Sequence, residues 1–379
     1  MKTILKGISE YFRKMDKLLL FAVTLCAGFS VILLYSIYVN EISPTVGASY
    51  YQTQLIAMAI GFASCLILSA IDYRKLAKLW FLYAPVALAL VILTFTSLGF
   101  GRDGADDRAW LKISSFSLQP SEILKLAFLL TFSLHLSKIR DTMNKPINIL
   151  LLAIHAGIPT LLIVKQGDHG TALVFITMTL TMLFIAGISI WYILLGIIVA
   201  VPVGIFSWYY VLKPVHRNRI LILIHPGSDP QGIELQQNRG KIALGSGQLF
   251  GKGLFGKDFT NVPEVHNDFI LSYIGEAFGF VGAIAVVLLL TFICLKILFD
   301  SKIAKDDLGK MICTGTFAMI FTHCFMNIGM VLGVMPVIGI PLPFLSAGGT
   351  AMMSMYISIG LVMSVYSHRE VKYRMFASK

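Results

Sequence analysis

Ten apolar runs, most of them close to the roughly 20 residues that cross a bilayer as a helix, alternate with polar stretches along the chain. They fall near 18–38, 52–71, 79–98, 121–137, 146–164, 170–188, 190–211, 269–299, 310–332 and 348–367. The pattern predicts an all-α polytopic membrane protein with about ten transmembrane helices, built as one integral membrane domain over 1–379. Lys2, Lys6, Arg13, Lys14 and Lys17 precede the first run, which is too long for the apolar core of a secretory signal. Residues 1–17 therefore read as a basic cytoplasmic segment. Alternating from there, four more basic groups share that side: Arg74, Lys75 and Lys78; Lys138, Arg140 and Lys145; Lys296, Lys302, Lys305 and Lys310; and Arg369, Lys372, Arg374 and Lys379. Positive charge collects on the cytoplasmic side, so both termini are expected there, with 368–379 as a tail.

Composition agrees with a membrane chain. Of the 379 residues, 56% are hydrophobic and 13% charged, against about 25% charged in soluble domains. The net charge of +11 sits in short loops and tails, with no basic stripe interleaved with aromatics, which argues against a nucleic-acid partner. Cys26, Cys65, Cys294, Cys313 and Cys324 are scattered through apolar runs without CxxC spacing, so neither a disulfide framework nor a zinc site is expected.

Two predicted outer segments are long: 99–120, rich in Gly and Asp, and 212–268, the large extracytoplasmic loop between spans seven and eight. The second ends in "PEVHNDFI" (263–270), which has two readings. Asn and Asp cap helices, whereas a carboxylate at the edge of a low-dielectric slab is a poised base. Asp268, Ser272 and Glu276 are spaced four apart and share a face if helical, with the carboxylates about 12 Å apart along the axis. In "SLQPSEILKLAF", Pro120 opens a helix with Ser121 and Glu122 in its first turn. Lys125, three residues on, either snorkels outward from a neutralised pair or faces a cavity shared with Asp268. The stretch "GKIALGSGQLFGKGLFG" permits close backbone approach to a ligand but is no P-loop. With Arg217, Arg219, Arg239, Lys241 and Lys252 it suggests an outer anion or pyrophosphate site; the bland alternative is a flexible, partly re-entrant loop. "MPVIGIPLPFLSAGGTAMM" is an uncharged broken backbone suited to a cavity wall. Asp168 reads as a helix cap, His169 beside it as structural, and His155 and His323 as satisfied buried residues.

Together these segments resemble the SEDS family (shape, elongation, division and sporulation) of polytopic cell-wall polymerases. The resemblance is carried in order by Trp110, "QPSEILKLA", "GDHGTAL", "RNRILILIHPGSDPQG", "KIALGSGQLFGKG", "VPEVHNDFI", "IGEAFGF" and "NIGMVLGVMPVIGIPLPFLSAGGT". It covers most of the chain beyond residue 100. "VPEVHNDFI" and "GIPLPF" are more similar to the RodA branch, which serves elongation, than to the division branch, FtsW. The family's Arg-Trp pair stands here as Ala109-Trp110 with Arg108 displaced by one, and its His-Thr-Asp as His266-Asn267-Asp268.

The resemblance implies a peptidoglycan glycosyltransferase in the bacterial plasma membrane, with its site on the extracytoplasmic face and lipid II as substrate. A glucosaminyl 4-hydroxyl attacks the lipid-linked muramyl anomeric carbon with inversion, and undecaprenyl pyrophosphate leaves. Asp268 is then the base. Glu122, Lys125, Trp110, Arg217, Arg219, Lys241, Lys252, His266 and Glu276 are expected to bind substrate, helped by a divalent cation (Mg2+ or Mn2+) and by no organic cofactor. The resemblance also implies a class B penicillin-binding protein as partner, together with other elongation-complex membrane proteins; consistent with that, the chain shows no SxxK, SxN and KTG set of a transpeptidase. The competing readings are a lipid II flippase and an unrelated secondary transporter. A transporter's midplane site lies between inverted repeats, and no such repeat is visible.

Overall fold

The computed structural model describes Tyr11 and residues 13–101, 107–113, 116–227, 229 and 232–370. The helices are α1 (Lys17–Val39), α2 (Ser49–Ala70), α3 (Tyr73–Lys78), α4 (Trp80–Leu93), α5 (Pro120–Ile139), α6 (Pro146–Gln166), α7 (His169–Ala186) and α8 (Ile190–Phe206). They continue as α9 (Pro214–Ile224), α10 (Ile233–Ser246), α11 (Ile270–Lys302), α12 (Asp307–Leu332) and α13 (Gly349–Ser367). Local chemistry sets their ends. Asp16 accepts the Leu19 N–H at the start of α1, and Asp168, which the sequence suggests as a cap, accepts that of Thr171 at the start of α7. Proline opens α5, α6 and α9, where its fixed φ fits and its missing N–H costs nothing.

Among the described residues, eight helices are long and apolar enough to cross a membrane: α1, α2, α6, α7, α8 with its extension to Val211, α11, α12 and α13. The third and fourth predicted spans depart from that set. The third shrinks to α4, because the chain turns at Thr94, whose hydroxyl bonds back to Val91 O at 2.8 Å. The fourth is α5, 20 residues long but less apolar, because Glu122, Lys125 and His135 lie within it. Those polar groups are tolerated because α4, α12 and α13 pack over α5.

The core lies around α12 and α13, each with 72% of its most apolar window buried. Along α13 runs α2, and the contact is close because a Cβ on Gly61 would meet the Tyr356 ring at 2.9 Å; small residues permit such approach between membrane helices. At the edge, α8 buries none of its residues.

The described parts of both long outer segments carry regular secondary structure. The first carries an antiparallel sheet of β1 (Gly99–Phe100), β2 (Trp110–Ile113) and β3 (Phe116–Leu118), with Phe100 opposite Trp110 and Lys112 opposite Ser117. The second is not a loop, because it contains α9 and α10. Packing on α11 holds α10 in shape, which the polar, glycine-containing sequence does not advertise. The eighth predicted span is also not continuous. Gly279 breaks α11 with φ 68° and ψ −167°, and beyond the break Phe280 and Val281 donate their N–H groups to Gln248 O and Leu249 O at 2.7 and 3.2 Å. The glycine-rich segment after α10 thus supplies the acceptors that the interrupted helix lacks.

Candidate active site

The turn 263–269 lies against the broken backbone between α12 and α13. Three successive carbonyls are held there. Ala347 N–H donates to His266 O at 2.8 Å, Ser346 Oγ to Asn267 O at 2.5 Å, and Asn327 Nδ2 to Asp268 O at 2.8 Å. Asn327 is fully buried and its amide also donates to Ile340 O at 2.8 Å. The backbone that carries the Asp268 carboxylate is therefore pinned from two sides, while its side chain stays only partly buried. A Cβ on Gly339 would stand 3.8 Å from Asp268 Oδ2, which locates the carboxylate over the wall segment.

Two expectations about this turn fail. Asp268 precedes α11, so it shares no helical face with Ser272 and Glu276. Asn267 does not cap the helix either: Phe269 occupies the cap position without a side-chain bond, and Asn267 Nδ2 turns to Glu264 Oε2 at 2.7 Å and His266 Nε2 at 3.2 Å. Because that amide nitrogen only donates, His266 Nε2 is an acceptor. The His266 ring is buried edge-on to Tyr50, with centroids 4.7 Å apart.

Glu122 and Lys125 form a buried ion pair at 2.8 Å, 2% and 0% exposed. Lys125 does not snorkel. A second partner holds it instead, His323 Nε2 at 3.2 Å, while Glu122 also accepts from Ser354 Oγ. His323 Nδ1 lies 3.1 Å from Pro341 O. A carbonyl only accepts, so Nδ1 carries the proton and Nε2 offers its lone pair to the ammonium. On α12, His323 and Asn327 are one turn apart. Through Pro341 and Ile340 they connect the Glu122–Lys125 pair to the backbone of Asp268.

The remaining predicted residues form separate groups. Buried Glu276 accepts at Oε1 from Lys252 Nζ at 2.6 Å, Thr260 N and Oγ1 at 2.9 Å each, and Ser246 Oγ at 3.0 Å. Lys252 also reaches Asp258 O at 2.8 Å, so this pair ties the 247–260 segment to α11. Lys241 is exposed and lies across Gly333, where a Cβ would come 2.6 Å from Nζ, beside the partly negative C-terminus of α12. Arg217 donates to Leu212 O and Tyr209 O at 3.0 and 2.9 Å. Partly buried Arg219 shares α9 with it, and partly buried Trp110 begins β2. Of the expected substrate contacts, Glu122, Lys125 and His266 thus join the Asp268 neighbourhood through hydrogen bonds.

Sequence reasoning missed Asn327, Ser346 and Ser354, and took His323 as merely satisfied. The only available signal was that His323 and Asn327 are four apart on an apolar helix. Among the described residues no three His, Cys, Asp or Glu side chains converge on a metal position. Chemically, the arrangement offers one reachable, positioned carboxylate backed by a buried, internally neutralised cation.

Several known proteins are similar to this chain. The peptidoglycan glycosyltransferase MrdB of Escherichia coli K12 is 31% identical over 320 residues, covering 83% of this chain and 85% of that one. The probable peptidoglycan glycosyltransferase FtsW of Trichlorobacter lovleyi is 30% identical, covering 94% and 93%. Stage V sporulation protein E of Bacillus subtilis is 30% identical over 83% and 86%. Two solved structures share the fold. A chain of a peptidoglycan synthase complex superposes with TM-score 0.76 at 24% identity, covering 94% of this chain and 99% of that chain. The rod shape determining protein RodA of Thermus thermophilus gives 0.69 at 24%, covering 94% and 98%. The FtsW/RodA/SpoVE model matches from residue 16 to residue 371, across every helix described above, and the chain belongs to that family of cell cycle proteins, the SEDS family that its motifs resemble.

Proposed function

We propose that this protein is a peptidoglycan glycosyltransferase that polymerises lipid II, with Asp268 as the general base. The observation that carries the reading is the pinning of three successive carbonyls, at His266, Asn267 and Asp268, beneath a carboxylate that remains reachable. A hydroxyl nucleophile needs a base held within hydrogen-bond reach of its proton. Asp268 accepts the proton of the glucosaminyl 4-hydroxyl as O4 bonds to the muramyl anomeric carbon. The bond from that carbon to the pyrophosphate breaks on the opposite face, and the undecaprenyl pyrophosphate leaves with both electrons. The Glu122–Lys125–His323 network supports the floor of the site, and we assign the leaving group's countercharge to Lys241, which is exposed over Gly333 at the end of α12.

Purified protein with labelled lipid II in detergent, alone and with a class B penicillin-binding protein, tests this. Wild type builds glycan polymer and Asp268→Ala builds none; an alanine variant that polymerises equally well removes Asp268 from the mechanism. Lipid II translocation across vesicles without polymer points instead to a flippase.

We assign the protein to elongation rather than division on "VPEVHNDFI" and "GIPLPF". The identities of 31% to MrdB and 30% to FtsW do not separate the roles. Rescue of an elongation-arrested strain, with failure in a division-arrested one, checks the assignment. A membrane groove of about 400 Å3 beside Phe317, Phe321 and Phe325 of α12 supports a partner anchored by a transmembrane helix.

A further inference from the structure

We propose that the trough between α4, α5 and α6 binds an anionic phospholipid with a hydroxylated headgroup, at a site separate from the polymerase centre. The trough has a volume of about 480 Å3, within the ~300–1,000 Å3 of small-ligand sites. It follows α5 from Leu124 to Lys138, about 21 Å at the helical rise per residue, and is bounded by Trp80 and Leu88 of α4 and Ile158 of α6. A trough of that length and apolarity suits a hydrocarbon chain lying along the bilayer normal.

Its lining also holds an ordered polar relay. His135 Nδ1 lies 3.1 Å from His155 Nδ1, and His155 Nε2 lies 3.1 Å from Thr131 Oγ1. The relay has a direction. Thr131 gives its only hydroxyl proton to Ala127 O at 2.9 Å, so its oxygen accepts from His155 Nε2–H. In a pair of neutral rings, His155 Nδ1 then accepts from His135 Nδ1–H, and the relay ends at His135 Nε2 as an acceptor. Ionisable side chains inside membrane spans are costly and mark sites or pathways, and neither histidine belongs to the network around Asp268.

Charge identifies the occupant. Lys138 follows His135 by three residues and shares its face, and Lys75 and Lys78 close α3 just before Trp80. All three lysines lie on the predicted cytoplasmic edge, where anionic lipids attract basic residues. A phosphodiester fits Lys138, and a headgroup hydroxyl one turn deeper donates to His135 Nε2. Phosphatidylglycerol has both features; phosphatidylcholine lacks the net charge and the hydroxyl.

The test uses full-length protein in phosphatidylcholine bilayers without lipid II, so its outcome is independent of the polymerase reading. Acyl-brominated phosphatidylglycerol is titrated in, and quenching of Trp80 is isolated by subtracting the Trp80→Phe signal. Quenching is expected at about fivefold lower mole fraction than with brominated phosphatidylcholine, the preference that one basic residue confers at a membrane surface. Lys138→Gln removes that preference, and His135→Phe erases the distinction between phosphatidylglycerol and phosphatidic acid. Equal quenching by the two brominated lipids, or an unchanged preference in both variants, overturns the proposal. Displacement by stoichiometric undecaprenyl phosphate also overturns it, because the trough would then hold the substrate's own tail.

Discussion

Asn327 holds Asp268 by its backbone, with a single buried amide donating at 2.8 Å to Asp268 O and at 2.8 Å to Ile340 O. The contact fixes where the carboxylate sits without touching it. Asn327→Leu keeps the apolar bulk and removes both donations. A displacement near 1 Å at a reacting group costs about a hundredfold, so kcat for glycan polymerisation is expected to fall roughly ten- to hundredfold while KM stays near wild type. An unchanged kcat in a folded variant would separate this amide from catalysis.

The buried Glu122–Lys125 pair makes a separate claim about stability. Removing one member of a buried ion pair strands the other and costs about 3–5 kcal/mol. Glu122→Gln and Lys125→Met should each lower the thermal midpoint of the detergent-solubilised protein markedly, and the double variant should lose no more than the worse single one. Strictly additive losses would mean that the two side chains act independently, against the 2.8 Å contact.

Much of this arrangement was legible in the sequence. Apolar length and the sidedness of Lys and Arg were enough to place most spans, and "PSEILK" placed Glu122 and Lys125 on one helical face. Geometry that depends on distant partners was not legible. Nothing near Asp268 announces that Ala347, Ser346 and Asn327 fix its turn, because these bonds close loops of about 60 to 80 residues. The spacing of Glu276 and Lys252 likewise says nothing of the bond between them or of Thr260 donating to the same carboxylate oxygen. The helicity of α10 was hidden for the same reason, since its support comes from α11 and not from its own periodicity.

On the predicted cytoplasmic side, Asp306 gives a pH dependence with a defined sign. Burial pushes its carboxyl up, but the Gly309 N–H, the Arg74 guanidinium and the Tyr73 hydroxyl together hold it below its ordinary value of 3.8. A depressed folded value contributes stability that is full above the unfolded value and is lost as pH falls through the folded one. The thermal midpoint should therefore drop as pH goes below 3.8, and Asp306→Asn should flatten that part of the profile while lowering the midpoint at neutral pH. The effect is modest, because the carboxyl side chain is 35% exposed. Parallel acid limbs in wild type and variant would remove Asp306 from the acid response.

The break in α11 is testable at one atom. Gly279 sits at φ 68° and ψ −167°, a region essentially restricted to glycine, and a Cβ there would press into the backbone of Leu249 and Gly251. Two penalties therefore coincide in Gly279→Ala: backbone strain of about 1–3 kcal/mol and a steric clash that only movement of the 247–253 segment relieves. That movement breaks the bonds from Phe280 to Gln248 O and from Val281 to Leu249 O, and it loosens the seat of Lys252 on Glu276. The expected result is faster proteolytic cleavage between residues 247 and 260, together with a lower thermal midpoint. If α11 instead straightened into a continuous helix, Phe280 N–H would turn inward to its own helix. The 247–253 segment would then be cut quickly with little loss of midpoint, and that combination would show the break to be dispensable for the fold.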